Sequence, residues 1–243
     1  MLNPTAAMLV IGDEILSGRT QDTNSHYLAG ELDRHGIILR EIRVIPDDTG
    51  AIIAAVQRLA NNHTHVFTSG GIGPTHDDIT ADAVAAAFGT PIGIRDDALE
   101  LLKKHYAKVG TELNDARLRM ARIPQGARLI ENPISAAPGF SLQNVHVMAG
   151  VPMIFKIMVS NLLPSLTGGT PLISRTLRMA CSEGQIAEPL AKLAAQNPDI
   201  SFGSYPFYSN GAYGTNIVIR GDDPVAIEVA ATILATLYNT DVE

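Results

Sequence analysis

The sequence predicts an α/β protein, with a mostly parallel sheet covered by helices on both faces, followed by a small α+β unit. Three observations carry this reading. Short apolar runs alternate with amphipathic stripes at the spacing of βα units. The first run, Ala6–Ile11, is apolar throughout, as in a strand buried on both faces. Breakers gather at Thr167-Gly168-Gly169-Thr170-Pro171, where the pattern changes. We therefore expect two domains, 1–168 and 169–243.

Each element has its own signal. Ala6–Ile11 ends at Gly12 and reads as a strand. Asn24–His35 places Leu28 and Leu32 one turn apart and stops before Gly36, which suits a helix. Ile37–Ile45 is a second strand, closed by Pro46. Thr49–Asn61 puts Ile52, Ile53, Val56, Leu59 and Ala60 on one stripe, with Thr49 as its expected cap. His65–Ser69 is a third strand, leading through Gly70-Gly71-Ile72-Gly73 to a helix from Thr80 to Phe88. Asp96–Val109 and Leu113–Ala121 read as helices and Val145–Met148 as a fourth strand. The remainder reads as strand Ser174–Met179, helix Ile186–Ala195, strand Ile200–Tyr205, turn Ser209–Gly214, strand Asn216–Arg220 and helix Val225–Tyr238. Asp222 or Asp223 caps that last helix and Pro224 suits its first turn. Pro189 predicts a helix start or a kink near it.

Composition excludes several function classes. Of 243 residues, 46% are hydrophobic and 18% charged, enough apolar material for a packed core. The formal charge is −7, which removes the usual drive toward nucleic-acid phosphates. A phosphorylated small ligand stays open, because backbone amides and a cation hold phosphate without a basic surface. The single cysteine, Cys181, forbids an intramolecular disulfide and the common zinc sets. The N-terminal stretch lacks a basic region and meets Asp13 and Glu14 early, so it does not read as a secretory signal. No run approaches about 20 apolar residues, so no membrane span is expected. A soluble, cytoplasmic protein is the simplest reading.

The chemistry concentrates between Thr68 and Thr80. Gly70, Gly71 and Gly73 follow a strand and precede a helix start, where backbone can approach a ligand. No Gly-Lys-[Ser/Thr] follows, and His76 stands where a dinucleotide fingerprint needs glycine, so neither common phosphate loop is present. A tight strand-to-helix turn accounts for the glycines alone. The adjacent Asp77-Asp78 repel each other and become useful beside a hard cation such as Mg²⁺, or one of them caps the helix. A second pair, Asp47-Asp48, follows the second strand; Gly12, Asp13, Glu14 and Ser17 follow the first. Each set alone suits a solvated loop. Loops at the carboxyl ends of parallel strands share one crevice, so all three sets are expected to face it. His63 and His65 alternate but lack a third metal ligand, and His76 is a loop residue with an optional phosphate role. Cys181 reads as core, and no nucleophile elbow occurs.

These residues resemble the molybdopterin-binding MoaB/Mog (MoCF) family, and more closely the N-terminal part of the competence/damage-inducible protein A (CinA) family. The resemblance rests on Gly12-Asp13-Glu14-Ile15-Leu16-Ser17-Gly18, Asp22-Thr23-Asn24, Pro46-Asp47-Asp48 and Gly70 through Thr80. It continues in Asn132-Pro133, Ala137-Pro138-Gly139-Phe140 and Gly150-Val151-Pro152, and the unit after 170 is also similar. It implies a three-layer α/β/α core that binds a molybdopterin or a nucleotide. It implies Asp47 and Asp78 as catalytic metal holders, with Asp77 beside them and Mg²⁺ or another divalent cation as cofactor. Gly70, Gly71 and Gly73 would cradle phosphate. Ser69, Thr75 and Thr80 would bond its oxygens, and Gly12, Asp13, Glu14, Ser17 and Asn24 would line the opposite wall. The implied activity is metal-dependent pyrophosphate cleavage of ADP-ribose- or FAD-like dinucleotides. The alternatives are AMP transfer to molybdopterin, or pterin or nucleotide binding without turnover. A dimer or trimer is also implied. The sequence departs from the family pattern at Ala149, where proline is usual, at Ile154, where glutamate is usual, and at Ser135-Ala136, where Gly-Thr is usual. No segment resembles the amidase domain of full-length bacterial members, and that activity is not assigned.

Overall fold

In chain order the first strands and helices are β1 (Thr5–Ile11), α1 (Asp13–Leu16), α2 (Asn24–Arg34), β2 (Ile38–Ile45), α3 (Thr49–Asn62) and β3 (His65–Ser69). There follow α4 (Thr80–Ala87), β4 (Ile92–Ile94), α5 (Asp96–Val109), α6 (Asp115–Leu118), β5 (Arg122–Pro124) and β6 (Arg128–Ile130), then β7 (Gly139–Leu142), β8 (Val145–Met148) and α7 (Pro152–Leu162). The computed structural model describes residues 3–209 and 211–238. The chain divides into two units, Met1–Gly169 and Thr170–Glu243.

The first unit is built on a sheet in the order β2-β1-β3-β8-β7-β6. Strands β2, β1, β3 and β8 are parallel; β7 is antiparallel to β8, and β6, antiparallel to β7, runs with the parallel set again. Alternate residues of each strand go to opposite faces, which is why β1 must be apolar throughout. Leu9, Ile11, Val66 and Val147 pack under Ile52, Val56 and Leu59 of α3 and Val84 of α4. Met8, Val10, Phe67 and Met148 pack under Leu28 and Leu32 of α2 and Phe155 and Met158 of α7. The fold is thus three-layered, with each fully buried aliphatic side chain contributing about 1.5–3 kcal/mol.

Several expectations change in detail. Asp48, not Thr49, caps α3: its Oδ1 accepts from the Ala51 amide at 2.8 Å. The expected helix Leu113–Ala121 is one turn, α6, capped by Asn114, followed by the 3₁₀ turn Arg119–Ala121. The structure adds four short strands, β4 to β7; they contain glycine, proline, arginine or serine within three or four residues and show no strand pattern. Gly139 in β7 is required by space: a Cβ there would lie 2.3 Å from the Val147 carbonyl oxygen.

The second unit comprises β9 (Ile173–Met179), α8 (Glu183–Gln196), β10 (Ser201–Ser209), β11 (Ala212–Gly221) and α9 (Pro224–Tyr238). Its antiparallel sheet has the order β10-β11-β9. Leu177, Ile217 and Ile219 pack against Ile186 and Leu193 of α8 and Ile227 and Leu234 of α9. The strands run further than expected, pairing out to Ser209 and Ala212, so the turn is tighter; Asn210 lies outside the described residues. Ser182 and Gln185 form a capping box, and α8 continues past Pro189. A proline at 189 leaves the Gln185 carbonyl without its helical donor. The Tyr238 hydroxyl donates to that oxygen at 2.9 Å, which removes the expected break. Asp223 is the cap of α9, accepting from the Val225 and Ala226 amides. Burial pushes the Cys181 thiol up, so it is not poised as a nucleophile.

A buried histidine chain crosses the lower end of the first unit's sheet. The His65 Nε2–H donates to the Thr167 carbonyl at 3.4 Å, which leaves its Nδ1 to accept from His146 Nε2, also at 3.4 Å. His146 Nδ1 then accepts from the Ser141 hydroxyl at 2.9 Å. Both rings are therefore neutral. Burial pulls the His146 pKa from 6.5 to about 3 and lowers that of His65. Below pH 6.5 the unfolded chain takes up protons that the folded sites refuse. Stability is accordingly full above that pH and falls as pH drops toward the folded pKa, by up to about 1.4 kcal/mol per pH unit for each such ring. Thermal unfolding at pH 7 and pH 5 checks this: the midpoint should fall, and His146→Gln should flatten the fall. An unchanged slope in that variant would overturn the assignment. His63 belongs to no shared site with His65; it faces Glu41 at 3.7 Å.

Candidate functional site

The loops after β1, β2, β3 and β8 meet at the carboxyl edge of the parallel strands. They bound a cleft of ≈ 630 Å³. Of the residues expected from the sequence, Gly12, Glu14, Asp47, Gly70, Gly71, Gly73, Asp77 and Asp78 line it.

Asp47 is placed by two loops. The Gly12 amide donates to the Ile45 carbonyl at 3.1 Å, joining the ends of β1 and β2. The Asp13 amide then donates to Asp47 Oδ2 at 3.0 Å. The Asp47 pKa is raised, first by burial and then by the negative charges of Asp13, Glu14 and Asp77; the hydrogen bond from Asp13 opposes the rise. A carboxylate loaded in this way gains from a nearby cation.

The glycine loop is shaped by close approach. Gly70 has φ 106, and a Cβ there would lie 2.2 Å from the Ile11 carbonyl oxygen. Gly71 has φ 69, with a would-be Cβ 2.1 Å from Thr80 Oγ1. The loop is thus tucked between the end of β1 and the start of α4, and the Thr80 amide donates to the Gly71 carbonyl at 3.0 Å. Asp78 does not cap α4. Its Oδ2 accepts from the Thr75 amide at 2.8 Å and the Thr75 hydroxyl at 2.6 Å, which fixes the carboxylate beside Gly73.

Six expected ligand contacts have other positions. Asn24 and Ser69 are buried, and Asn24 Nδ2 donates to Ser69 Oγ and to the Gly150 carbonyl, both at 2.8 Å. They tie α2 to the ends of β3 and β8, and border a hollow of ≈ 50 Å³ that shares Glu14, Thr20 and Gly150 with the cleft. Thr80 is fully buried beneath Gly71, so its hydroxyl cannot meet a ligand in the cleft. Thr75 holds Asp78 rather than lining the cleft. Asp13 acts through its amide, and Ser17 only closes a local turn by donating to the Glu14 carbonyl. His76 is fully exposed beside Asp77.

Thr20, Tyr106 and Met120 line the cleft although no motif pointed to them. Thr20 joins the polar wall, while Tyr106 of α5 and Met120 of the 3₁₀ turn come from segments distant in sequence. Asn132 organises its own turn: it accepts from the Ile134 and Ser135 amides and donates to Ser135 Oγ and the Ala137 carbonyl. The departures Ala149 and Ile154 both lie in the wall, making that side apolar.

Among the described residues no three His, Cys, Asp or Glu side chains converge to hold a metal by themselves. Asp47 and Asp78 supply two carboxylates, a set that suits Mg²⁺ completed by water and phosphate oxygens. No helix of the described residues is long and apolar enough to cross a membrane.

Residues 7–168 match the family described as "Probable molybdopterin binding domain", and residues 171–242 match "FAD synthase, middle domain". The chain is 34% identical over 258 residues to a "Probable FAD synthase" of Caenorhabditis elegans, covering 96% of this chain and 50% of that protein. It is 39% identical over 167 residues to a "CinA-like protein" of Citrifermentans bemidjiense, covering 67% of this chain and 40% of that one. The chain thus spans half or less of the length of these two relatives. The crystal structure of a CinA protein from Thermoplasma acidophilum superposes with a TM-score of 0.62 at 34% identity, covering 68% of this chain and 99% of that one. The chain therefore belongs to the molybdopterin-binding-domain family in its CinA-like branch, and carries a unit similar to the FAD synthase middle domain after it.

Proposed function

We propose that this chain is a divalent-metal-dependent enzyme that cleaves the pyrophosphate bond of an ADP-ribose- or FAD-like dinucleotide. The supporting observation is the meeting of Asp47, Asp77 and Asp78 in one cleft with the glycine loop between them. Asp47 and Asp78 would hold Mg²⁺ or a similar ion, which supplies charge neutralisation on the phosphoryl oxygens as water attacks. Backbone amides of Gly70, Gly71 and Gly73 would take the diphosphate. The apolar wall of Ile72, Met120, Ala149 and Ile154, with the Tyr106 ring, suits a planar base or flavin and keeps bulk water from the bond. The match of the second unit to a FAD synthase middle domain supports a nucleotide over a pterin. A dimer or trimer in the cytoplasm belongs to the same proposal.

The test is hydrolysis of ADP-ribose and FAD by the purified chain with Mg²⁺, Mn²⁺ or Co²⁺. AMP is the expected common product, abolished by chelation. No turnover of either substrate across those metals would overturn the reading. A second reading, binding without turnover, is favoured by the apolar Ala149 and Ile154; calorimetric binding with no product would identify it. AMP transfer to molybdopterin from ATP is the third outcome, read in its own assay.

A further inference from the structure

Among the described residues Arg119 is a half-buried cation without a counter-ion. It begins the 3₁₀ turn behind the glycine loop. Its Nη2 donates to the Asp78 carbonyl oxygen at 3.3 Å, and its Nε is buried with no hydrogen-bond partner. Among the described residues no carboxylate pairs with it, whereas nearby Arg122 is neutralised by Asp82. Withdrawing an unpaired guanidinium from water is costly unless an anion meets it.

Two hollows meet at this side chain. One of ≈ 20 Å³, about the room of a single water, joins Gly71, Gly73 and Asp78 to Arg119 and Arg122. It shares those loop residues with the main cleft. A second, of ≈ 460 Å³, opens beyond it with Asp82, Asp115 and both arginines in its wall. The narrow hollow admits one oxygen of a phosphate and not the whole group. Asp82, in both walls, is spent on Arg122, and the Asp78 carboxylate of the inner wall is held by Thr75, so Arg119 is the cation left there to meet an anion.

We propose that Arg119 forms an anion subsite behind the glycine loop that takes the distal phosphate of a nucleoside diphosphate, the nucleoside lying in the main cleft. The Nε–H, which has no partner, is the donor left for the one phosphate oxygen that the narrow hollow admits, a charge-assisted hydrogen bond. This rests on the nucleotide part of the reading above and not on turnover.

Calorimetry of the full chain with adenosine, AMP, ADP and inorganic pyrophosphate, with and without Mg²⁺, tests it. Wild type should bind ADP more tightly than AMP. Arg119→Gln should weaken ADP and pyrophosphate by about 10–100-fold, the scale of a lost charged hydrogen bond, and leave adenosine unchanged. Arg119→Lys should recover part of the loss. Equal weakening of adenosine and ADP would mean that Arg119 only holds the loop, and would overturn the proposal. So would unchanged ADP binding, or a wild type that does not prefer ADP to AMP. Should Arg119→Gln fail to fold, the lysine variant and the salt dependence of wild-type ADP binding decide; indifference to salt overturns the subsite. If ADP binding behaves as stated while ADP-ribose and FAD stay intact, the pyrophosphatase reading fails and the subsite stands.

Discussion

Replacing Asp78 by asparagine should lower kcat for pyrophosphate cleavage about 10²–10³-fold, the cost of removing one group that stabilises transition-state charge. The side chain keeps its shape, and its oxygen can still accept from the Thr75 amide, so the loop should stay folded. Only the negative charge beside Gly73 is lost. Asp47→Asn should act alike and also raise the metal concentration needed for half-maximal rate. Its carboxylate gains from a cation through relief of repulsion from Asp13, Glu14 and Asp77. Steady-state kinetics over a Mg²⁺ series, beside thermal unfolding, separates the two losses. If both variants cleave at the wild-type rate, the carboxylates are not the metal holders.

Gly70→Ala should be among the most destabilising small changes in the first unit. A Cβ at that position would sit 2.2 Å from the Ile11 carbonyl oxygen, and that oxygen is main chain and cannot swing aside. The φ of 106 adds strain that no L side chain relieves by a rotamer change. Backbone strain of about 1–3 kcal/mol and overpacking of about 1–3 kcal/mol act together, for a loss of about 3 kcal/mol or more. At about 2–4 °C per kcal/mol for a chain of this size, the unfolding midpoint should drop by about 6–12 °C. Gly89→Ala is the control. Gly89 has φ 61 with nothing within 4 Å of a new Cβ, so it should cost only the left-handed penalty of about 1–2 kcal/mol. Equal midpoints for the two variants would mean that the loop yields where the packing says it cannot.

The contrast between these positions shows how much was legible in the sequence. Gly70, Gly71 and Gly73 were readable as a loop where backbone can approach a ligand, with a tight strand-to-helix turn as the equal alternative, and the neighbouring Asp77-Asp78 tipped the balance. The direction of the close approach was not readable: Gly70 and Gly71 clear the Ile11 carbonyl and Thr80. Asn24, Ser69 and Thr80 carry ligand-type side chains in ligand-type places, yet they are buried structural supports. Burial is a property of neighbours from other segments, and a motif contains none of them. Asp47 and Asp78 were legible as candidates because strand ends of a parallel sheet share an edge. Tyr106, Met120 and Arg119 were not, since helices and turns remote in the chain bring them to the loop.

The sequence by itself determined the alternation of strands and helices, the three-layer core and the carboxyl edge where the acidic loops collect. Those follow from local periodicity and from the rule that parallel strands need helical crossovers. Only the tertiary structure decided which polar side chains face the cleft, which way the glycine loop leans, and that a cation paired with no carboxylate among the described residues stands behind it. The reason is physical: hydrogen-bond satisfaction and burial are summed over contacts between distant segments, and short-range patterns carry only the tendency of each segment to present one face.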